Sequence, residues 1–202
     1  IHPVESASIP PMTHPTDPAA WTRRTTLKDG TPVLIRPVRA DDRERLIRAF
    51  RELEPETVYT RFFSAKRELS EYDFARIAGS DFVHALALVA TVPRDGDEQI
   101  IGGGAYTMLD RAGEPPTAEV SFTIEEDYHG QGLASRFMAL LIEAGRVRGI
   151  ARFEADVMAG NLGMLTVFER SGLPQTRRLE GGAVHVVMEL APPAEPPAAA
   201  GA

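Results

Sequence analysis

The segment between Glu119 and Met138 holds the residue types and spacing most able to do chemistry in this chain. Its first part, Glu119-Val-Ser-Phe-Thr-Ile124, alternates, which predicts a strand with Glu119, Ser121 and Thr123 on one face and Val120, Phe122 and Ile124 on the other. Its second part, His129-Gly130-Gln131-Gly132-Leu133-Ala134, is a glycine-punctuated turn that opens an amphipathic helix. Glycine removes side chains where backbone must approach a ligand, and a helix start offers unpaired N–H groups and the positive end of a dipole. The pair makes an anion site suited to a pyrophosphate, with a carboxylate further back on the same strand. The bland readings are a plain tight turn and a solvated strand glutamate.

The elements that must position this segment follow from pattern. Residues 24–27 and 32–37 flank Asp29-Gly30 and pair as a hairpin. A helix starts at Asp41 and Asp42 and carries Leu46, Ile47 and Phe50 at helical spacing, with further helices over 56–63 and 70–78. Apolar runs over 82–91 and 99–109 and the strand over 117–125 form a meander. The helix over 132–148 ends at Gly149, a strand spans 153–158, a helix spans 161–171, and strands over 177–180 and 183–190 turn at Gly181-Gly182. This predicts a mixed α/β domain over 22–190 between Pro-rich tails at 1–21 and 191–202. Met12 is a candidate natural start, with 1–11 an upstream segment.

At 202 residues the chain suits one domain. A net charge of −7 argues against nucleic acid as a partner, since neutralising phosphates takes clustered Lys and Arg. With no cysteine, a cysteine nucleophile and thiolate metal sites are excluded, and the five scattered histidines predict no metal. No apolar run approaches the ~18 residues of a membrane span, so a cytoplasmic protein without a membrane partner is expected. The oligomeric state is open.

The turn at 129–134 resembles the signature of the GCN5-related N-acetyltransferases (GNAT): Arg or Gln, two residues, Gly, one residue, then Gly or Ala, which Gly132 and Ala134 fit. Asn161-Leu-Gly-Met164 followed by Phe168-Glu-Arg-Ser-Gly172 resembles the helix that closes that family's cofactor cleft. More narrowly, Asp29-Gly30, Ile35-Arg-Pro37, Tyr59-Thr-Arg-Phe-Phe63, Ala118-Glu119 and Gly149-Ile150 resemble the catalytic domain of bacterial Pat-type protein lysine acetyltransferases. The resemblance implies a GNAT fold, a mostly antiparallel twisted sheet with a splayed strand pair and flanking helices. It also implies acetyl-CoA as co-substrate and a protein lysine as acceptor, with acyl-CoA synthetases the target class. A small-amine acetyltransferase and a non-catalytic acyl-CoA sensor are the alternatives. Two residues depart from the pattern: His129 replaces the Arg or Gln, and Phe168 stands where many relatives carry the tyrosine that reprotonates the leaving thiolate.

Direct transfer to an amine poses three demands. A lysine is protonated at pH 7 in all but roughly one molecule in two thousand, so a base is needed, and the resemblance gives that role to Glu119. An apolar wall is expected to raise its pKa. An oxyanion needs a donor, implied to be a backbone N–H between Phe122 and Ile124, with Thr123 between them. The cofactor needs a cradle, expected from His129, Gly130, Gln131, Gly132, Leu133, Ala134 and Ser135, with Arg136 adding side-chain donors and Asn161, Met164 and Phe168 closing the far side. Asn161 also reads as a helix N-cap, Arg36 and Arg61 to Phe63 as groove or core, and His84 as a buried, satisfied histidine.

Overall fold

The structure, a computed structural model, describes residues 17–62 and 67–190, with the side chains of 59–62 left aside. Gly30 adopts φ +91°, and its turn joins β1 (Arg23–Thr26) to β2 (Pro32–Pro37). Three helices follow: α1 (Arg43–Glu52), α2 (Pro55–Phe62) and α3 (Glu71–Ala78). Ser70 and Asp73 start α3 by exchanging side-chain-to-backbone hydrogen bonds, a capping box. The long strands β3 (Ala85–Arg94), β4 (Asp97–Leu109) and β5 (Thr117–Ile124) form the meander. Helix α4 (Leu133–Val147), β6 (Arg152–Met158), α5 (Leu162–Arg170) and the hairpin β7 (Gln175–Glu180) and β8 (Ala183–Glu189) complete the chain.

The eight strands form one sheet in the order β1-β2-β3-β4-β5-β6-β8-β7, antiparallel everywhere except between β5 and β6. One face is packed by α4, whose Phe137 and Leu141 are fully buried together with Phe153, Val186 and Met188. That close approach requires Gly104 of β4, because a Cβ there would lie 2.9 Å from the Phe137 side chain. The opposite face carries α1, anchored by a buried ion cluster. Arg36 donates to both oxygens of Asp42 at 2.7 Å and to Glu98, and Arg36 and Asp42 are almost wholly buried. Arg36 is thus a structural cation under α1.

Three expectations need correction. The turn Pro18–Trp21 belongs to the folded chain, because Trp21 is only 2% exposed and joins the core; the tail expected over 1–21 gives way there. Strand β3 starts at Ala85 rather than 82, since one oxygen of Asp81 accepts from the amides of Val83, His84 and Ala85 and holds a loop. Against the cost of burial, a hydrogen bond from the His84 ring together with those amides holds the Asp81 carboxyl well below the usual range. His84 is exposed, its Nδ1 2.7 Å from Asp81 Oδ2, and is no buried histidine. The rest of the tails, 1–16 and 191–202, and Phe63 lie outside the described residues, as do the side chains of Arg61 and Phe62.

Candidate active site

Strands β5 and β6 pair over only three residues: Thr117 with Arg152, Ala118 with Phe153 and Glu119 with Glu154. Beyond Glu119 they part, because β6 pairs with β8 over its whole length while β5 stays with β4. Alternate backbone groups of β5 beyond Glu119 therefore face a gap instead of a partner strand. The gap is a wedge-shaped cavity of about 650 Å³.

The turn before α4 closes the wide end of the wedge. Gly130 and Gly132 sit at φ +71° and +85°, a left-handed backbone that only glycine adopts cheaply. Gly132 is the N-cap of α4, with no capping side chain and no acidic residue in the first helical turn. The first amides of α4 are left for a ligand, and the dipole adds positive potential at the same place. The turn, Leu133, Ala134 and Ser135 line the cavity.

All but two of the residues expected at the site line this single cavity: Glu119, Phe122, Thr123, Ile124, His129, Gly130, Gly132, Leu133, Ala134, Ser135, Asn161, Met164 and Phe168. The exceptions are Arg136 and Gln131, the latter with its Oε1 accepting from the amide of Asp29 at 3.3 Å, outside the wedge. His129 donates from Nε2 to the Ile124 carbonyl at 2.8 Å, tying the turn to the end of β5. Asn161 caps α5, its Oδ1 accepting from Met164 N at 3.0 Å. Phe168 is buried with its ring centroid 6.0 Å from that of Phe122, so the pair makes an apolar floor.

Arg136 does not serve the cavity as expected. Its Nε donates to Thr25 Oγ1 at 2.9 Å and its Nη groups to the carbonyls of Thr26 and Gln131, so it fastens the turn to β1. Lys28, which the sequence reading passes over as part of a hairpin turn, does serve it. Its Nζ lies 2.7 Å from the Gly130 carbonyl and the residue lines the cavity. An ammonium carries three N–H donors, so two remain for an anion. No local signal reveals this, because Lys28 and Gly130 are 102 residues apart.

Glu119 occupies the apex of the wedge, flanked on its sheet face by Thr107 and Glu154. Arg111 holds Glu154 with two bonds of 2.9 Å, whereas the Glu119 side chain makes no hydrogen bond among the described residues. No apolar wall stands around Glu119 among the described residues, and Glu119 is exposed. Asp156, in register with His185 and 2.8 Å from its Nδ1, lines the cavity nearby.

A sheet splayed at one parallel pair, a bare helix start over the gap and a carboxylate at its apex define the acyltransferase class with the GNAT fold. The chain belongs to the acetyltransferase (GNAT) family, whose profile matches residues 33–174, and it is an acetyltransferase. It is 33% identical to an acetyltransferase of Pseudomonas aeruginosa over 138 residues, 68% of this chain and 73% of that protein. It is 32% identical to the acetyltransferase Pat of Mycolicibacterium smegmatis over 149 residues, 72% of this chain but only 42% of that longer protein. Among solved structures, the GNAT domain of S. lividans PAT superposes with a TM-score of 0.75 at 33% identity, covering 86% of this chain and 99% of that one. Salmonella typhimurium YncA, solved with its cofactor acetyl-CoA, shares the fold with a TM-score of 0.64 at 15% identity, covering 82% and 98%. Among the described residues no helix is long and apolar enough to cross a membrane.

Proposed function

We propose that this chain transfers an acetyl group from acetyl-CoA to a lysine ε-amine of a protein in the cytoplasm, with acyl-CoA synthetases the target class. The observation that carries the reading is that strand pairing stops at Glu119, which sets a carboxylate where the donor wedge meets an open sheet face. An open face favours a lysine borne on a large surface over a small amine, which a closed acidic pocket would suit. Likeness to two Pat proteins supports the same acceptor.

The residues fit the donor. A diphosphate suits the amides of Gly130 to Ser135 with Lys28 beside them, and a pantetheine arm suits the gap along β5 against Phe122, Met164 and Phe168. Glu119 takes the lysine proton, directly or through one water, and frees the nitrogen lone pair. The amine attacks the thioester carbonyl while a β5 backbone N–H on the open side holds the oxyanion, a contact worth about 2.7–4 kcal/mol. The nitrogen then loses its extra proton to water, the C–S bond breaks and coenzyme A leaves as a thiolate. Phe168 cannot donate a proton, so departure as the thiolate with later protonation from water balances the step, which a thiol pKa of about 8.5 permits.

Incubating acyl-CoA synthetases with the protein and acetyl-CoA, followed by peptide mass spectrometry, tests the reading. Lysine acetylation that disappears with Glu119→Gln supports it. No acetylation above background transfers the assignment to a small-amine acceptor.

A further inference from the structure

The donor wedge uses only part of the cavity system. A second cavity, of about 150 Å³, lies on the other side of β5, between the sheet and helices α1 and α3. It meets the wedge at Ser121 and Thr123, which line both. Its floor is made of small residues, including Gly103 and Ala105 of β4, and Leu46 and Phe50 of α1, with Leu53 just past its end, supply an apolar wall. A cavity of this size takes a group about as large as benzene.

Glu125 lines this cavity, one residue beyond the end of β5. Its Oε2 is buried and has no hydrogen-bond partner among the described residues. A buried carboxylate oxygen without a donor is costly, and native structures rarely leave one unless a ligand or water completes it. The charges acting on it are Glu52 of α1, Glu126 and Asp127 of the following turn, and Arg94 of β3, and Arg94 already lies 3.9 Å from Glu52. Three of these four charges are negative, so a cationic donor is the group most complementary to the oxygen.

We infer that the groove under α1 is a second recognition subsite, which takes a cationic side chain with an apolar stem from the acceptor and pairs its charge with Glu125. The inference rests on the proposed reading of the chain as a lysine acetyltransferase. Glu125 lies six residues along the strand from Glu119, about 20 Å in an extended chain. The side chain bound here is thus a different one from the lysine that is acetylated: a basic residue elsewhere on the same acceptor surface. Burial, with help from the neighbouring acids, pushes the Glu125 carboxyl above its ordinary value, and a bound cation would pull it back toward the ionised form.

The test uses n-propylguanidinium, which has an apolar stem and a fixed charge and offers no acetylatable amine. Titrated into the full chain, it should shift the amide resonances of Gly103, Thr123 and Glu125. Glu125→Gln should weaken its binding about tenfold or more, because a hydrogen bond to a charged group is worth about 1.5–3 kcal/mol. Glutamine is nearly isosteric and removes a buried charge, so the variant folds, and its thermal unfolding verifies this. Absence of binding, equal affinity in both proteins, or shifts confined to the donor wedge would overturn the subsite. Since the readout needs no acetyl transfer, failure of lysine acetylation with intact guanidinium binding would sink the proposed function alone.

Discussion

The two cavities that meet at β5 are built in different ways. The donor wedge is made mostly of backbone: an interrupted strand pair, two left-handed glycines and the uncapped start of α4. The groove under α1 is made of side chains brought from α1, α3, β3, β4 and β5, with a carboxylate oxygen at its wall that has no partner among the described residues. A backbone site is pinned by conformation, so it tolerates side-chain drift and constrains only a few positions. A side-chain site can be retuned one residue at a time, which suits the half of the reaction where partners differ.

The largest expected effect falls where the cavities join. Glu119→Gln should lower kcat by roughly 10²–10⁴ and leave the Kd for acetyl-CoA unchanged in calorimetry, since the role proposed for Glu119 is to take the acceptor's proton and not to hold the donor's phosphates. Full activity in this variant would remove the carboxylate from the chemistry and leave the wedge a binding site only.

Next comes the anchor of the groove. Asp42→Ala leaves the buried Arg36 guanidinium with Glu98 in place of two carboxylates and should cost about 3 kcal/mol in urea unfolding, a loss that comes from a buried charge stripped of its bidentate partner. If backbone alone holds the wedge, the fraction that stays folded should bind acetyl-CoA with normal affinity while acceptor turnover falls.

Gly132→Ala tests the wedge in return. Forcing a Cβ into φ +85°, 2.8 Å from Arg136 Nη1, should cost about 1–2 kcal/mol, or roughly 5–30-fold in acetyl-CoA affinity. Lys28→Gln should have a smaller effect of a few fold, visible for acetyl-CoA and absent for acetyl-pantetheine, and fading as salt rises. An equal loss for both donors would make Lys28 a prop for the turn instead of a phosphate ligand.

The smallest effect is a pH dependence. Because the folded-state pKa of Glu125 is raised, the folded protein binds more protons than the unfolded chain between the two pKa values. This carboxyl therefore subtracts stability as pH climbs from its unfolded value through its raised one, and the loss is complete above the latter. Glu125→Gln should match wild type near pH 4 and unfold at slightly higher temperature near pH 7.

The same contrast explains what the sequence reveals. Alternation from Glu119 to Ile124, the glycines at 130 and 132 and the cap at Asn161 are local signals, and each marks its element and its place in the wedge. What sequence reading misses is long-range. Lys28 reaches Gly130 from a distant hairpin, Arg136 turns to β1, Trp21 folds into the core from a Pro-rich stretch, and Glu125 turns into a groove assembled from five elements. The exposure of Glu119 has a related origin, since it depends on which helices cover that part of the sheet.

The most direct test of the account is a crystal structure of the chain with acetyl-CoA. The account predicts the diphosphate on the amides of Gly130 to Ser135, the pantetheine between β5 and β6, and the thioester carbon within reach of a lysine held at Glu119. A diphosphate bound elsewhere, or a thioester pointing away from Glu119, would contradict it.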